Sequence, residues 1–369
     1  MIDKKITFFY QAGRLEKINS NEPYAKEMFY GYHYFSKKYE SVKIIEFMPI
    51  NSKLRKFFRN NIEKKISNIF KLPIYWTYMV TNKNKKIIRE SDYVVFNNNR
   101  IGASVTPILF WNNLKKKKQA VSLCFVLGLF SRKTKFKFLM IFHNLYIKLI
   151  LKNVDKFIFL SEGELNFAKN KFSKYKNKFT LIPFAVDLKI WKVQEYDKKD
   201  ILFVGNDGFR DFKLVEDIIN SHPEMNFSIV SKFINKENLI HKNFKIHKGS
   251  WGNPALTDLE LRNLYSSSKL TIIPLKESLQ PSGQSVALQS IACGTPVIIT
   301  KTEGFWDNEN FQDGLNIFFN KNNDLKSWKK DISKIYEMND FDYDQIVKNG
   351  LDLIKNNYDL NDFNKKIEN

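Results

Sequence analysis

Two loops in the second half of the chain carry residue types that suit phosphate chemistry. Pro281-Ser282-Gly283-Gln284-Ser285 follows the apolar run KLTIIPL and opens a helix-like stretch that ends at Cys293-Gly294, before PVIIT. Where a strand turns into a helix, glycine and serine leave backbone N–H groups pointing outward at the positive end of the helix dipole, an arrangement that binds a diphosphate without a metal. The second loop follows ILFVG and supplies Gly205 and Asn206 at the strand end, then Arg210 and Lys213 at the next helix start. Their donors suit phosphate oxygens. Taken singly, the first loop also reads as an ordinary helix cap, and Arg210 as the partner of Asp207 or Asp211. Together they converge on one sheet edge, outside the carboxyl ends of parallel strands, where open α/β sheets bind ligands.

Other reactive side chains are fewer. In the first half only His33 and His143 offer an imidazole, both within aromatic or apolar helical patterns that suit packing as well as catalysis. Ser161, Glu162 and Glu164 follow the apolar run Lys156–Leu160, with Glu162 the third candidate catalytic group and helix capping the competing role. In the second half His247 and Lys248, in NFKIHKG, can approach a nucleotide base or phosphate, and Glu277 lies just upstream of the serine loop. No D-x-D stands in a strand-end loop and no His/Cys grouping has ligand spacing, so no metal is expected. Cys124 and Cys293 lie far apart inside apolar runs, which argues against a disulfide framework and for a reducing compartment.

The elements that must position these groups alternate between short β-rich runs and helical periods, the signature of an α/β protein with parallel sheets. Strands are expected at Ile6–Tyr10, Val42–Phe47, Tyr93–Asn97, Val121–Leu129, Lys156–Leu160 and Phe179–Pro183. The rhythm restarts at Ile201–Gly205, Asn226–Val230, Asn243–Gly249, Lys269–Leu275 and Pro296–Thr300. Thr257–Glu260, T-D-L-E, reads as a capping box for a helix ending near Ser268. Helical patterns follow at Asp324–Glu337 and Asp342–Asn356. The expected organisation is a first domain over 1–186, a linker over 187–200, a second domain over 201–357, and a segment 358–369 crossing back to the first.

The 369 residues carry 60 Lys and Arg against 39 Asp and Glu, a net charge of +21. All of the excess lies in the first half: residues 1–200 sum to +24 and residues 201–369 to −3. Clusters stand at Lys53, Arg55, Lys56 and Arg59, at Lys115–Lys118, and at Arg132, Lys133, Lys135 and Lys137. Such asymmetry points to a polyanion, or to a surface solvated with lysine throughout. No helix-turn-helix, zinc or aromatic-platform motif accompanies it, so nucleic acid is not the expected partner. The N-terminus has no signal-peptide pattern, and the longest uncharged run, Ala120–Phe130, is about half of the ~20 residues that a spanning helix needs. It reads as a buried strand in a cytoplasmic protein.

The series VGND…RD…K, LRNLYSSSKLTIIPL, PSGQSVALQSIACGTPVI and TEGFWD…DGLN, over Ile201–Phe319, resembles the donor-binding half of GT-B glycosyltransferases, most closely the family 4 (group 1) type. Ile182–Trp191 is similar to that family's interdomain segment, and Tyr10–Arg14, with Gly13, to its glycine-bearing first-domain loop. The resemblance implies two Rossmann-like domains facing each other across a cleft, with a nucleotide-sugar held by the second and the acceptor by the first. By position, Gly205, Arg210 and Lys213 would meet the diphosphate, Ser282–Ser285 the diphosphate and sugar, and Gln289 the ribose. Two glutamates usual in the family are replaced here by Pro281 and Gln289. Ser282, Gln284, Ser285 and Glu277 are the residues placed to compensate.

The expected function is metal-independent sugar transfer with no cofactor, in cell-surface polysaccharide or lipopolysaccharide assembly; the resemblance leans towards retention at the anomeric carbon. The acceptor would be a glycan or a polyprenyl-phosphate-linked one, and the basic first half would hold the enzyme at the anionic inner face of the membrane. A degenerate GT-B binding protein and a GT-B-type nucleotide-sugar epimerase are the alternatives, the latter needing acid/base partners that the sequence does not display.

Overall fold

The computed structural model describes residues 2–47, 49–117, 119–249 and 255–369, so Lys118 of the basic run lies outside the described residues. The chain forms two compact units, one of residues 1–20 and 29–182, the other of residues 21–28 and 183–369. The short segment 21–28 thus belongs with the second unit although it lies far upstream in sequence.

In the first unit the strands are β1 (Ile2–Phe9), β2 (Tyr39–Ile45), β3 (Tyr93–Phe96), β4 (Val121–Val126), β5 (Lys156–Phe159) and β6 (Phe179–Leu181). They form one sheet in the order β2-β1-β3-β4-β5-β6, every pairing parallel. Strands β3 to β5 are buried and apolar almost throughout, because crossover helices cover both faces of a parallel sheet. The run expected to continue as strand to Leu129 stops at Val126. Leu127 N–H donates to Asn99 Oδ1 (2.8 Å), Gly128 N–H to Glu164 Oε2 (2.9 Å), and Gly128 turns the chain at φ +71°.

The second unit contains β7 (Asp200–Val204), β8 (Phe227–Val230), β9 (Phe244–His247), β10 (Ser268–Ile273), β11 (Val297–Thr300) and β12 (Phe318–Asn320). Their order is β12-β11-β10-β7-β8-β9, again all parallel. Counted from the first strand of the unit, this is the doubly wound Rossmann order, and its switch point lies between β7 and β10. Both loops singled out in the sequence leave the carboxyl ends of those two strands. The Thr257 capping box forms as expected and starts the helix Asp258–Ser267. The stretch after Val186 is packed: Trp191 is buried, and its N–H donates to Asp187 C=O (2.9 Å). The last helix, Leu360–Glu368, follows an Asp359–Val186 bridge within the same unit.

Candidate functional site

At the switch point of the second unit, backbone bonds fix the loop after β7. Lys276 N–H donates to Phe209 C=O (2.8 Å) and Asp211 N–H to Pro274 C=O (3.0 Å), tying the loop to the chain leaving β10. This stitching lays the Arg210 side chain over Gly205. A Cβ at residue 205 would stand 2.4 Å from Arg210 Nε, so only glycine lets the guanidinium lie there. Arg210 is 3% exposed, and burial lowers its pKa. Its Nη1 is 3.3 Å from Asp207 Oδ2, yet neither Nε nor Nη1 makes a hydrogen bond to the protein. Asp207 offsets part of the charge, but buried donors without an acceptor remain costly.

The second loop brings a helix N-terminus to the same spot. Gly283, at φ +84°, is the N-cap of the helix Gln284–Ala292, which has no side-chain cap; the first intrahelical bond runs from Ala287 N–H to Gly283 C=O (2.9 Å). A Cβ at residue 283 would lie 2.8 Å from Ile273 Cγ2 and 3.3 Å from Arg210 Nη1. Ser282 Oγ is buried and without a protein partner. Arg210 Nη1 therefore lies beside the Gly283 helix start, which puts positive charge next to the first-turn N–H donors, with Ser282 one residue before them. These donors have the chemistry that suits a phosphate or diphosphate group.

The remaining residues predicted from sequence have other placements. Lys213 is exposed and pairs with Asp217 at 2.7 Å, the contact that raises its pKa. Asn206 ties strand ends together, its Nδ2 donating to Gly249 C=O (3.1 Å) and its Oδ1 accepting from Lys232 N–H (2.9 Å). Exposed Glu277 accepts from Ser278 N–H (3.0 Å) and Glu303 N–H (2.9 Å). His247 ends β9, with burial lowering its pKa and Nε2 unpartnered. Gln284 is buried and Ser285 half-buried on the first turn.

Gln289 is buried one turn and more along the same helix and belongs to a polar cluster that sequence reasoning missed. Its Nε2 donates to Glu27 Oε1 (3.0 Å), while Tyr265 OH donates to its Oε1 (3.4 Å). Glu27 is fully buried and also accepts from Trp191 Nε1 (2.6 Å) and Asp187 N–H (3.3 Å). Burial pushes its carboxyl up to about 7. No local pattern in NEPYAKEMF marks this residue; only its burial in the fold does.

In the first unit Gly13, at φ +86°, starts the helix Arg14–Asn19, but the carboxylate of Glu46 already accepts from Arg14 N–H (2.5 Å) and Leu15 N–H (3.2 Å). His33 is half-buried, its ring against Phe29 and Tyr32. His143 is buried, with Nδ1 2.8 Å from Phe70 C=O and its pKa lowered by burial. Half-buried Glu162 opens the helix Glu162–Lys171, which Ser161 caps through Glu164 N–H (3.4 Å). Neighbouring Glu164 is the fully buried one, raised to about 7 by burial. Among the described residues no group of three or more His, Cys, Asp or Glu is placed to hold a metal ion.

No family model and no curated protein sequence matches the chain. Solved structures do match over its whole length. The chain is similar to HepE of Anabaena in complex with UDP and glucose, at 13% identity and TM-score 0.66, covering 99% of this chain and 98% of that one. It is similar to a glycosyltransferase of Rickettsia africae at 15% identity and TM-score 0.66, covering 99% and 97%. The catalytic domain of starch synthase IV from Arabidopsis thaliana, bound to ADP and acarbose, matches at 11% identity and TM-score 0.66, covering 100% and 98%. With two six-stranded parallel sheets in Rossmann-like units, the chain has the α/β GT-B fold of these proteins.

Proposed function

We propose that the protein is a glycosyltransferase that takes a sugar from a nucleoside-diphosphate sugar. The observation that carries this reading is the buried Arg210 guanidinium, with two nitrogens free of protein hydrogen bonds, beside the Gly283 helix N-terminus and the unpartnered Ser282 hydroxyl. In this reading Arg210, Ser282 and the first-turn N–H groups hold the diphosphate and stabilise the charge that develops as the nucleoside diphosphate departs. Basic and backbone donors do this without a metal. Gln289, held by Glu27 and Tyr265, faces the nucleoside half of the donor. The likeness to HepE with UDP and glucose, and to starch synthase IV with ADP, supports a nucleotide as ligand.

The sugar goes to a glycan or polyprenyl-phosphate-linked acceptor, with retention, in assembly of a surface polysaccharide. The +24 charge of residues 1–200 supports attachment of the enzyme to an anionic membrane face. Thermal unfolding with a panel of nucleoside diphosphates and their sugar conjugates, with and without EDTA, tests the donor reading. A ligand at 100 times its Kd stabilises the folded state by about 2.7 kcal/mol. A shift with one nucleotide, unchanged by EDTA, is the expected outcome; no shift with any nucleotide refutes the donor site. Release of free sugar or transfer to an acceptor then separates an enzyme from a binding protein, and an epimerised donor without transfer identifies an epimerase.

A further inference from the structure

The first unit concentrates both its charge and its exposed apolar side chains in three segments, residues 53–70, 99–117 and 131–153. Together they hold sixteen Lys and Arg and a single carboxylate, Glu63. Glu63 is fully buried and paired with Arg59, and it accepts from Thr77 N–H (2.6 Å) and Oγ1 (2.7 Å), so it offers no negative charge to the surface. Of the twenty-two large hydrophobic residues exposed among the described residues, thirteen fall in these three segments. Leu54 is 76% exposed, Phe57 59%, Phe138 61% and Ile141 61%.

The three segments pack against one another. Phe70 packs on Phe142 with ring centroids 5.6 Å apart, joining the first segment to the helix Leu139–Asn153. Tyr146 OH of that helix donates to Ala103 C=O (2.6 Å), and Asn113 Nδ2 donates to Asn153 Oδ1 (2.8 Å), joining it to the helix Asn99–Leu114. An apolar groove of about 690 Å³ opens on this surface between Leu54, Phe57, Phe58, Ile62, Trp76 and Pro107. Soluble proteins rarely expose contiguous apolar area of this kind without a partner. Unopposed Lys and Arg interleaved with Phe, Trp, Ile and Leu is the composition of a surface that lies in a bilayer interface, apolar side chains in the acyl boundary and lysines reaching the headgroups. The same charge makes a second copy of this face a poor partner, since two surfaces of like net charge would meet.

We propose that this face is a membrane-inserting surface: it binds an anionic bilayer by burying Phe57, Phe138, Ile141 and their neighbours below the headgroups, and the groove takes a hydrocarbon chain. The proposal deepens the membrane part of the reading above and rests on it for the sign of the lipid charge; the donor site plays no part. Attachment by charge alone is screened by salt, whereas apolar insertion is not.

The test is flotation of the full chain with phosphatidylglycerol/phosphatidylcholine vesicles at 50 mM and 500 mM NaCl. The wild-type protein and the triple variant Phe57→Ser, Phe138→Ser, Ile141→Ser are compared, with circular dichroism confirming the variant's fold. These side chains are exposed, so the variant keeps the core intact. Expected is wild-type binding that persists at 500 mM NaCl, and at least a tenfold loss of partitioning there for the variant. Wild-type protein that binds at low salt and is fully released at high salt, or a variant that partitions like wild type, overturns insertion while leaving charge attachment standing. No binding even at 50 mM NaCl overturns both, without bearing on nucleotide binding. A dimer in light scattering that the triple substitution dissolves assigns the face to a second copy and overturns the proposal.

Discussion

Glu27 gives the sharpest test of the packing around the site. Its carboxyl is raised from 4.5 to about 7, chiefly because burial penalises the charged form, while hydrogen bonds from Gln289 and Trp191 lower it. In the unfolded chain the group titrates near 4.5, so between about pH 4.5 and 7 the folded protein holds a proton that the unfolded chain has released. The stability this contributes is complete below pH 4.5 and is lost as pH rises through about 7. Each tenfold change in the ionisation equilibrium is worth about 1.4 kcal/mol, so the rise from 4.5 to about 7 amounts to roughly 3 kcal/mol. The Glu27→Gln substitution keeps the volume and one acceptor oxygen for Trp191 and Gln289 but cannot ionise. Relative to wild type, the variant should therefore gain about 2.5 kcal/mol between pH 5 and pH 8. Glu164, also raised to about 7, is present in both proteins and cancels in the difference. Urea unfolding at pH 5, 6, 7 and 8, followed by tryptophan fluorescence, reads this directly, since Trp191, Trp306 and Trp328 are all buried in the second unit. A stability difference that stays constant within about 1 kcal/mol across that range, or that moves the other way, refutes the reasoning.

Three further outcomes follow from the same structure. Gly283→Ala forces a side chain onto a residue at φ +84° with Ile273 Cγ2 2.8 Å from the new carbon; it should cost about 2–5 kcal/mol in thermal or denaturant unfolding and weaken diphosphate binding. Glu63→Ala leaves the buried Thr77 N–H and Oγ1 donors without their acceptor and removes the partner of Arg59, and should destabilise the first unit by about 2–5 kcal/mol. Thr257→Ala removes one half of the capping box on the helix Asp258–Ser267 and should cost about 1 kcal/mol by urea unfolding, with nucleotide affinity unchanged.

Much of the fold was legible because parallel sheets write themselves as apolar runs separated by helical periods. KLTIIPL and PVIIT became β10 and β11, buried apart from Lys269, and T-D-L-E became a capping box. The phosphate-suited loops were legible for a related reason: a glycine at a strand end and a Ser-Gly pair at a helix start are local features with local causes. What the sequence hid depends on distance. Glu27 meets Gln289 from 262 positions away, and nothing near it in the chain distinguishes it from a solvated glutamate. Strand β12, three residues long, is too short to show a period. Lys213 carried the right charge at the right spacing, but one helical turn brings Asp217 beside it, and that partner lies outside the motif. The helix LMIFHNLYIKLILKN carries apolar residues around most of its circumference, so its sequence alone does not mark which face is buried. In the folded chain His143, Ile147 and Ile150 face inward, while Ile141, Phe142 and Leu145 remain exposed.

Isothermal titration of wild type and Arg210→Ala with UDP, GDP and ADP reads out whether Arg210 and the Gly283 helix start hold a diphosphate. Charge-assisted hydrogen bonds contribute about 1.5–3 kcal/mol each, so losing the guanidinium should weaken the preferred nucleotide by at least about tenfold. The matching nucleoside, which lacks phosphates, should bind the two proteins alike. Saturable binding of one nucleoside diphosphate to wild type, and its collapse in Arg210→Ala with the fold preserved, is the predicted result. Absence of binding to wild type at millimolar nucleotide, or equal affinity in the two proteins, would contradict it.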